Sequence, residues 1–267
     1  DFFNTYTYDK NREFYLTNSP AMDILISSNL ERLIYRIAGN DAEKNAELMK
    51  SLSSEGKYSF GKIMNQGVLD YIKANPEDDI IHYWMGDYMN NTCECDECTK
   101  MPVTDYYVKL LNELDEELAK EGLTTRIAFE VGYNFAYSPE REKLNNPDRF
   151  LMEFFPITRT FSESFPSEYT IKEIPTYKVN DFSLPRSVEE NLAYVYNWKK
   201  HFQGDTVDFD YHLMWDHILD AGGEGIAKVI YDDIRNLEKL GMNGYISCQL
   251  QRNMFPTSIA MTVMGKT

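Results

Sequence analysis

RIAFEVGY, the run from Arg126 to Tyr133, is the stretch on which the fold turns. Strand alternation sorts it into Ile127, Phe129 and Val131 on one face and Ala128, Glu130 and Gly132 on the other. The apolar face suits packing under helices, and it leaves Glu130 pointing to the opposite side. Similar apolar runs bounded by turn residues recur along the chain: IIHYWM from Ile80 to Met85, FLMEFFP from Phe150 to Pro156, FDYHLMW from Phe209 to Trp215 and GYISCQL from Gly244 to Leu250. Helical spacing separates them. Leu110, Leu111, Leu114 and Leu118 form one such pattern, with Pro102 and Thr104 at its start and Gly122 at its end; Val188 to His201 forms a second, and Ile226 to Leu240, closed by Gly241, a third. Between Thr160 and Pro185 the chain reads as a long loop rich in Ser, Thr, Tyr and Pro.

Strands alternating with helices imply a parallel sheet, because parallel neighbours need a crossover of about a dozen residues or more. Neither of the glycine-rich nucleotide turns, G-x-G-x-x-G or G-x-x-x-x-G-K-[ST], occurs in the chain, which disfavours an open doubly wound sheet. The expectation is an α/β fold, a TIM-type (β/α) barrel. Met22 to Ser27 supplies a sixth strand before a helix at Leu30 to Ala38, and Phe2 to Tyr8 is a weaker candidate; eight strands are hard to find. An incomplete barrel lacking its first strands is therefore expected, as one domain over residues 1–267 and the later part of a longer multidomain protein.

The chain has 267 residues with 27 basic and 43 acidic side chains, a net charge of -16, which argues against a nucleic-acid partner. A hydrophobic content of 43% supports a large core, and the sequence holds no run of about 18 apolar residues for a membrane span. Four cysteines are too few for a disulfide-dense scaffold.

A barrel lumen is ordinarily filled by branched apolar side chains, so polar residues on lumen-facing parity mark a candidate site. On this reading Glu130 and Glu153 point inward, Asp210, His212 and Asp216 share one side of their strand, His82 and Trp84 fall together, and Ser247 and Gln249 lie opposite Ile246 and Cys248. Asp87 and Asp216 sit at strand C-termini, where barrel active sites are built. The candidate catalytic set is Asp87, Glu130, Asp216 and Glu153; the candidate substrate-binding set is Trp84, Tyr133, Tyr137, Arg159, His212, Trp215, Gln249 and Arg252. Each has a structural reading beside it: carboxylates paired with Arg126 or Arg159, histidines satisfied in the core, aromatics simply packed. The 19 tyrosines and the aromatic strand ends suit sugar faces and hydroxyls. Cys93, Cys95 and Cys98, in CECDEC, leave three readings open: a metal knuckle holding a structural zinc, a disulfide, or packing thiols. No cofactor is otherwise required.

The run WMGDYMNNTCECDEC from Trp84 to Cys98, the following TDYYV and LLNELD, the Ile127 to Tyr137 segment and DDIRNLEKLGMNGYIS resemble the signature of a bacterial domain-of-unknown-function family of glycoside-hydrolase-like barrels. The resemblance covers residues 70–265 and is most specific in the cysteine loop. It departs at Gly86-Asp87, where Asn-Asp is expected, and at Glu-Val-Gly-Tyr before the tyrosine segment. It implies a barrel similar to α-glucuronidases and hexosaminidases, a carbohydrate substrate, and a soluble bacterial protein, cytoplasmic or exported. Two other readings stand beside glycoside hydrolysis. One is a non-catalytic carbohydrate-binding barrel; the other is a metal-dependent hydrolase using His82, His212 and Asp210 or Asp216.

Overall fold

The structure, a computed structural model, describes residues 60–267 apart from 86–88, 91, 93, 95, 97, 215–219, 221 and 250–257; for residues 60–64 and Gln249 only the backbone is described. The expected strands at Phe2 to Tyr8 and Met22 to Ser27, and the helix at Leu30 to Ala38, lie outside the described residues. The elements are α1 (Phe60–Ala74), β1 (Ile80–Tyr83), α2 (Val103–Lys120), β2 (Arg126–Val131), β3 (Phe150–Phe154), α3 (Val188–Lys199), β4 (Asp205–Leu213), α4 (Glu224–Asn236), β5 (Gly244–Gln249) and α5 (Ile259–Lys266). The five strands form one sheet in the order β1-β2-β3-β4-β5, and every pair is parallel.

Local chemistry sets these boundaries. Pro102 precedes α2, and Gly122 stops it in the left-handed region at φ 69°. Ser187 caps α3 through a reciprocal box with Glu190, whose carboxylate accepts the backbone N–H groups of Arg186 and Ser187. Those two N–H donors hold the Glu190 carboxyl below its usual value. The strap between β3 and α3 carries no helix or strand, as the sequence led one to expect. β4 begins at Asp205, four residues before the expected Phe209. The reason is chemical: Thr206 and Asp208 are buried polar residues, and they give the start of the strand no apolar signature.

Each strand lies beside its predecessor with no reversal of order, so crossovers of one hand place the helices on one face. The contacts agree. Tyr107 of α2 donates its hydroxyl to the carbonyl of Tyr83 at 2.6 Å, Trp198 of α3 lies 5.4 Å from the ring of Phe129, and Asp233 of α4 meets His212 of β4. Ile81, Tyr83, Ile127, Phe129, Val131, Phe150, Met152 and Phe154 fill this side as the main core.

The other face is concave. Adjacent strands stand about 4.8 Å apart, so a flat sheet would put β1 and β4 about 14 Å apart. Yet the ring of Trp84, just past β1, lies 4.8 Å from that of Phe209 in β4. The sheet curls to allow this, as a half-barrel. Gly132 and Phe155, beyond the ends of β2 and β3, pack tightly at the same rim: a Cβ on Gly132 would come within 2.1 Å of the Phe155 ring. Gly132→Ala is expected to push that ring toward Trp84 and Tyr133, which lie 5.2 and 5.7 Å from it, and to lower stability by about 1–3 kcal/mol in urea unfolding.

Candidate functional site

Register decides which polar residues face inward. His82 pairs with Ala128, Glu130 with Glu153, Glu153 with Val207, and Phe209 with Ile246, so these residues share the concave face. Two groups meet on one oxygen of Glu153: Nδ1 of His82, hydrogen-bonded at 2.9 Å, and the indole N–H of Trp84, which donates at 2.5 Å. Oε1 of Glu153 is buried with no hydrogen-bond partner. Glu130 accepts the backbone N–H of Met85 at 2.6 Å. Glu130 and Glu153 are almost wholly buried, at 1% and 0% exposure, whereas the His82 side chain is 32% exposed and Trp84 is half-buried.

A second polar cluster lies on the opposite, helix-covered side of the sheet. Asp208, Asp210 and His212 of β4 face α4, and Arg159 reaches in from the strap. The Arg159 Nη2 atom lies 3.0 Å from Asp210 and 2.9 Å from Nε2 of His212, and it contacts Asp233 directly. Nε2 of His212 is 2.7 Å from Asp233, and Nδ1 is 3.0 Å from the Tyr245 hydroxyl. Asp233 also accepts the backbone N–H of Phe165 at 2.5 Å, while the guanidinium packs against the rings of Phe161 and Phe165. Burial works against the Arg159 charge, but Asp210, Asp233 and Asp208 outweigh it and hold the guanidinium more firmly protonated than usual. Burial first, and Asp210 next, push the Asp208 carboxyl well above its ordinary value, against the pull of Arg159. The Tyr245 phenol is raised by burial, then by Asp210 and Asp208.

These positions correct several expectations. Asp210 and His212 do share a side of their strand, but it is the helix-packed side, and Arg159 joins them there, away from the concave face. Ser247 pairs with Asp210 and Ile246 with Phe209, so the inward and outward residues of β5 are the reverse of those expected for Ser247 and Cys248. Tyr137 is buried against Tyr177, Phe182 and Tyr194, under the strap. Tyr133 stays at the concave rim near Phe155, with φ at 45°. His82 and His212 lie on opposite faces, so a metal centre using both is excluded by the sheet itself. Asp210, His212 and Asp233 have ligand atoms within 4.8 Å of one another, a spacing suited to an ion. The Arg159 guanidinium already sits among them as the cation, so this set does not fit a metal. Asp87, Trp215, Asp216, Arg252, Cys93, Cys95 and the Gln249 side chain lie outside the described residues; Cys98 opens a short 3-10 turn, Cys98–Lys100.

Asp233, which completes the outer cluster, was missed by sequence reasoning. Its signal was present: it occupies the next position of the apolar series Ile226, Val229, Ile230 on α4, where a carboxylate must be paired to be buried. The strap is tied to the cysteine loop by two asparagines, both at φ 54°. Asn90 exchanges two 2.8 Å hydrogen bonds with the backbone of Phe182, and Asn180 exchanges two with the backbone of Thr92. A cleft of about 640 Å³ opens at the other end of the strands, lined by Arg126, Asp148, Asp205 and Asn243, with the Arg126–Asp205 ion pair at 2.7 Å in its wall.

No family model matches the chain, and no solved structure matches it. Over 65 residues it is 38% identical to threonine synthase-like 1 of Macaca fascicularis, a stretch that covers 24% of this chain and 9% of that protein.

The outer cluster makes two stability predictions. Arg159→Met leaves Asp210 and Asp233 buried without their cation and is expected to cost about 3–5 kcal/mol in denaturant unfolding. Asp208 behaves oppositely. Its raised folded value means that stability is greatest below the ordinary carboxyl value of 3.8 and is lost as pH rises toward the folded value. Asp208→Asn removes that loss, so the melting temperature of the variant should exceed that of wild type by a margin that widens from acid to neutral pH.

Proposed function

We propose that the concave face is the acid–base site of a glycoside hydrolase built on a TIM-type (β/α) barrel, with Glu130 and Glu153 as its paired carboxyl groups and a carbohydrate as substrate. The observation that carries this reading is their placement as register partners on neighbouring parallel strands, near the strand C-termini and beside Trp84. That end of a barrel is where catalytic groups gather. The half-exposed Trp84 and Tyr133 offer faces on which a sugar ring can stack. The resemblance in the cysteine loop points to the same class of protein.

Burial of both carboxyl groups favours a second reading, a carbohydrate-binding barrel without turnover. A panel of aryl glycosides and glucuronides separates the two. Turnover by wild type that falls about 10²- to 10⁴-fold in kcat for Glu130→Gln, with the circular dichroism spectrum unchanged, supports hydrolysis. Saturable sugar binding with no turnover of any panel member supports the second reading, and a Glu130→Gln variant as active as wild type removes Glu130 from the chemistry.

A further inference from the structure

Strand parity gives the hollow of the sheet a definite chemistry. Ala128, Leu151, Val207 and Ile246 close its floor as an apolar layer. Above that layer come His82, Glu130, Glu153 and Phe209, and at the rim Trp84, Tyr133 and Phe155. Arg126 shares the parity of Glu130 but lies on the far side of the apolar layer, paired with Asp205 at 2.7 Å. Arg159, the guanidinium that would suit a uronate, is held on the helix side with its side chain wholly buried. Among the described residues that the sheet turns into the hollow above its floor, two carry carboxyl groups and none is a lysine or arginine.

Aromatic rings make the rest of that surface. Trp84 and Phe209 are half-buried and meet edge to face, 4.8 Å between centroids, and the indole N–H donates to Glu153 at 2.5 Å. An indole whose N–H points at an acidic oxygen has a more electron-rich face, and that face is what attracts cations. The other oxygen of Glu153, Oε1, is buried with no hydrogen-bond partner, an acceptor left without a donor. A sugar carboxylate would meet these groups as a like charge, and a sugar hydroxyl would bring a donor without charge. An ammonium brings three donors and the opposite charge. We infer that the hollow selects glycosides of amino sugars whose amine is free and protonated, with the ammonium against the rings of Trp84 and Phe209 and the acidic groups of Glu130 and Glu153 behind them. The inference rests on the carbohydrate reading of the concave face and names its substrate class. It sets that class apart from uronates, which carry the wrong charge, and from N-acetylated sugars, which have lost it.

The test reads binding before turnover. Isothermal titration at about pH 6, where an amine of this kind is charged, compares the methyl glycosides of glucosamine, N-acetylglucosamine, glucose and glucuronic acid, each in both anomers. The wild type should bind a glucosaminide about 10-fold more tightly than the matching glucoside, the gain expected of a partly desolvated cation over an aromatic face, and the glucuronide least tightly. Phe209→Leu keeps apolar bulk but removes one ring, and should reduce that ratio to about 3-fold or less. A glucoside, N-acetylglucosaminide or glucuronide bound as tightly as the glucosaminide overturns the inference, as does the absence of saturable glucosaminide binding, whether or not the Leu variant folds. A folded Leu variant that keeps the full ratio overturns it as well. The matching aryl glycosides are then assayed for hydrolysis. Turnover with no preference for the glucosaminide in kcat/KM overturns the inference and leaves the hydrolase reading standing. Selective binding of the glucosaminide with no turnover of any member removes the hydrolase reading and leaves the inference standing.

Discussion

One carboxyl oxygen of Glu153 accepts the indole N–H of Trp84 and shares a hydrogen bond with the imidazole of His82, and in doing so it links β3 to β1 across the intervening β2. A flat sheet would hold these groups about 10 Å apart at their backbones, so the hydrogen bonds act as a chord across an arc. The apolar rings of Phe155 and Phe209 complete the closure around Trp84. Curvature and site are thus set by the same contacts. The side chains that bend the sheet are also those that decide which polar atoms remain accessible in the hollow.

On the convex side the sheet meets its helices in two different ways. Over β1 to β3 the interface is apolar and dense, built on Phe129, Phe150, Tyr107 and Trp198. Over β4 it is a buried network of Asp208, Asp210, His212, Arg159 and Asp233. Desolvating several charges costs energy that their mutual attraction only partly returns, so such a network is weak evidence of stability gained. It does, however, fix one arrangement. A guanidinium that must reach Asp210, Asp233 and His212 at once leaves the strap little choice of path, whereas an apolar plug could settle in several. The strap in turn packs its Tyr177 and Phe182 against Tyr137 and Tyr194.

Much of this was legible in the sequence where the period was clean. Alternation in Arg126 to Val131 gave the correct inward direction of Glu130, and the Leu110 to Leu118 spacing located α2. The same logic failed in β4, where the rule that polar parity faces the lumen was applied to Asp210 and His212. The parity itself held. What alternation cannot encode is which of the two faces receives a compensating cation, and here Arg159, some 50 residues upstream, supplied it on the helix side. In β5 the ambiguity was of the same kind, because Ser247 and Cys248 are both small and moderately polar.

The two asparagines that join the strap to the cysteine loop each stand in for a peptide group, offering one donor and one acceptor to a single backbone residue. Hydrolytic loss of either side-chain amide during ageing would turn its donor into an oxygen facing a carbonyl: that of Phe182 for Asn90, and that of Thr92 for Asn180. At Asn180 the new charge would also stand beside Glu94, 2.6 Å from the present amide nitrogen. The two loops would then repel where they now clasp. Chemical wear at these positions would be felt in the aromatic cluster of Tyr137, Phe182 and Tyr194, without any change to the sheet beneath it.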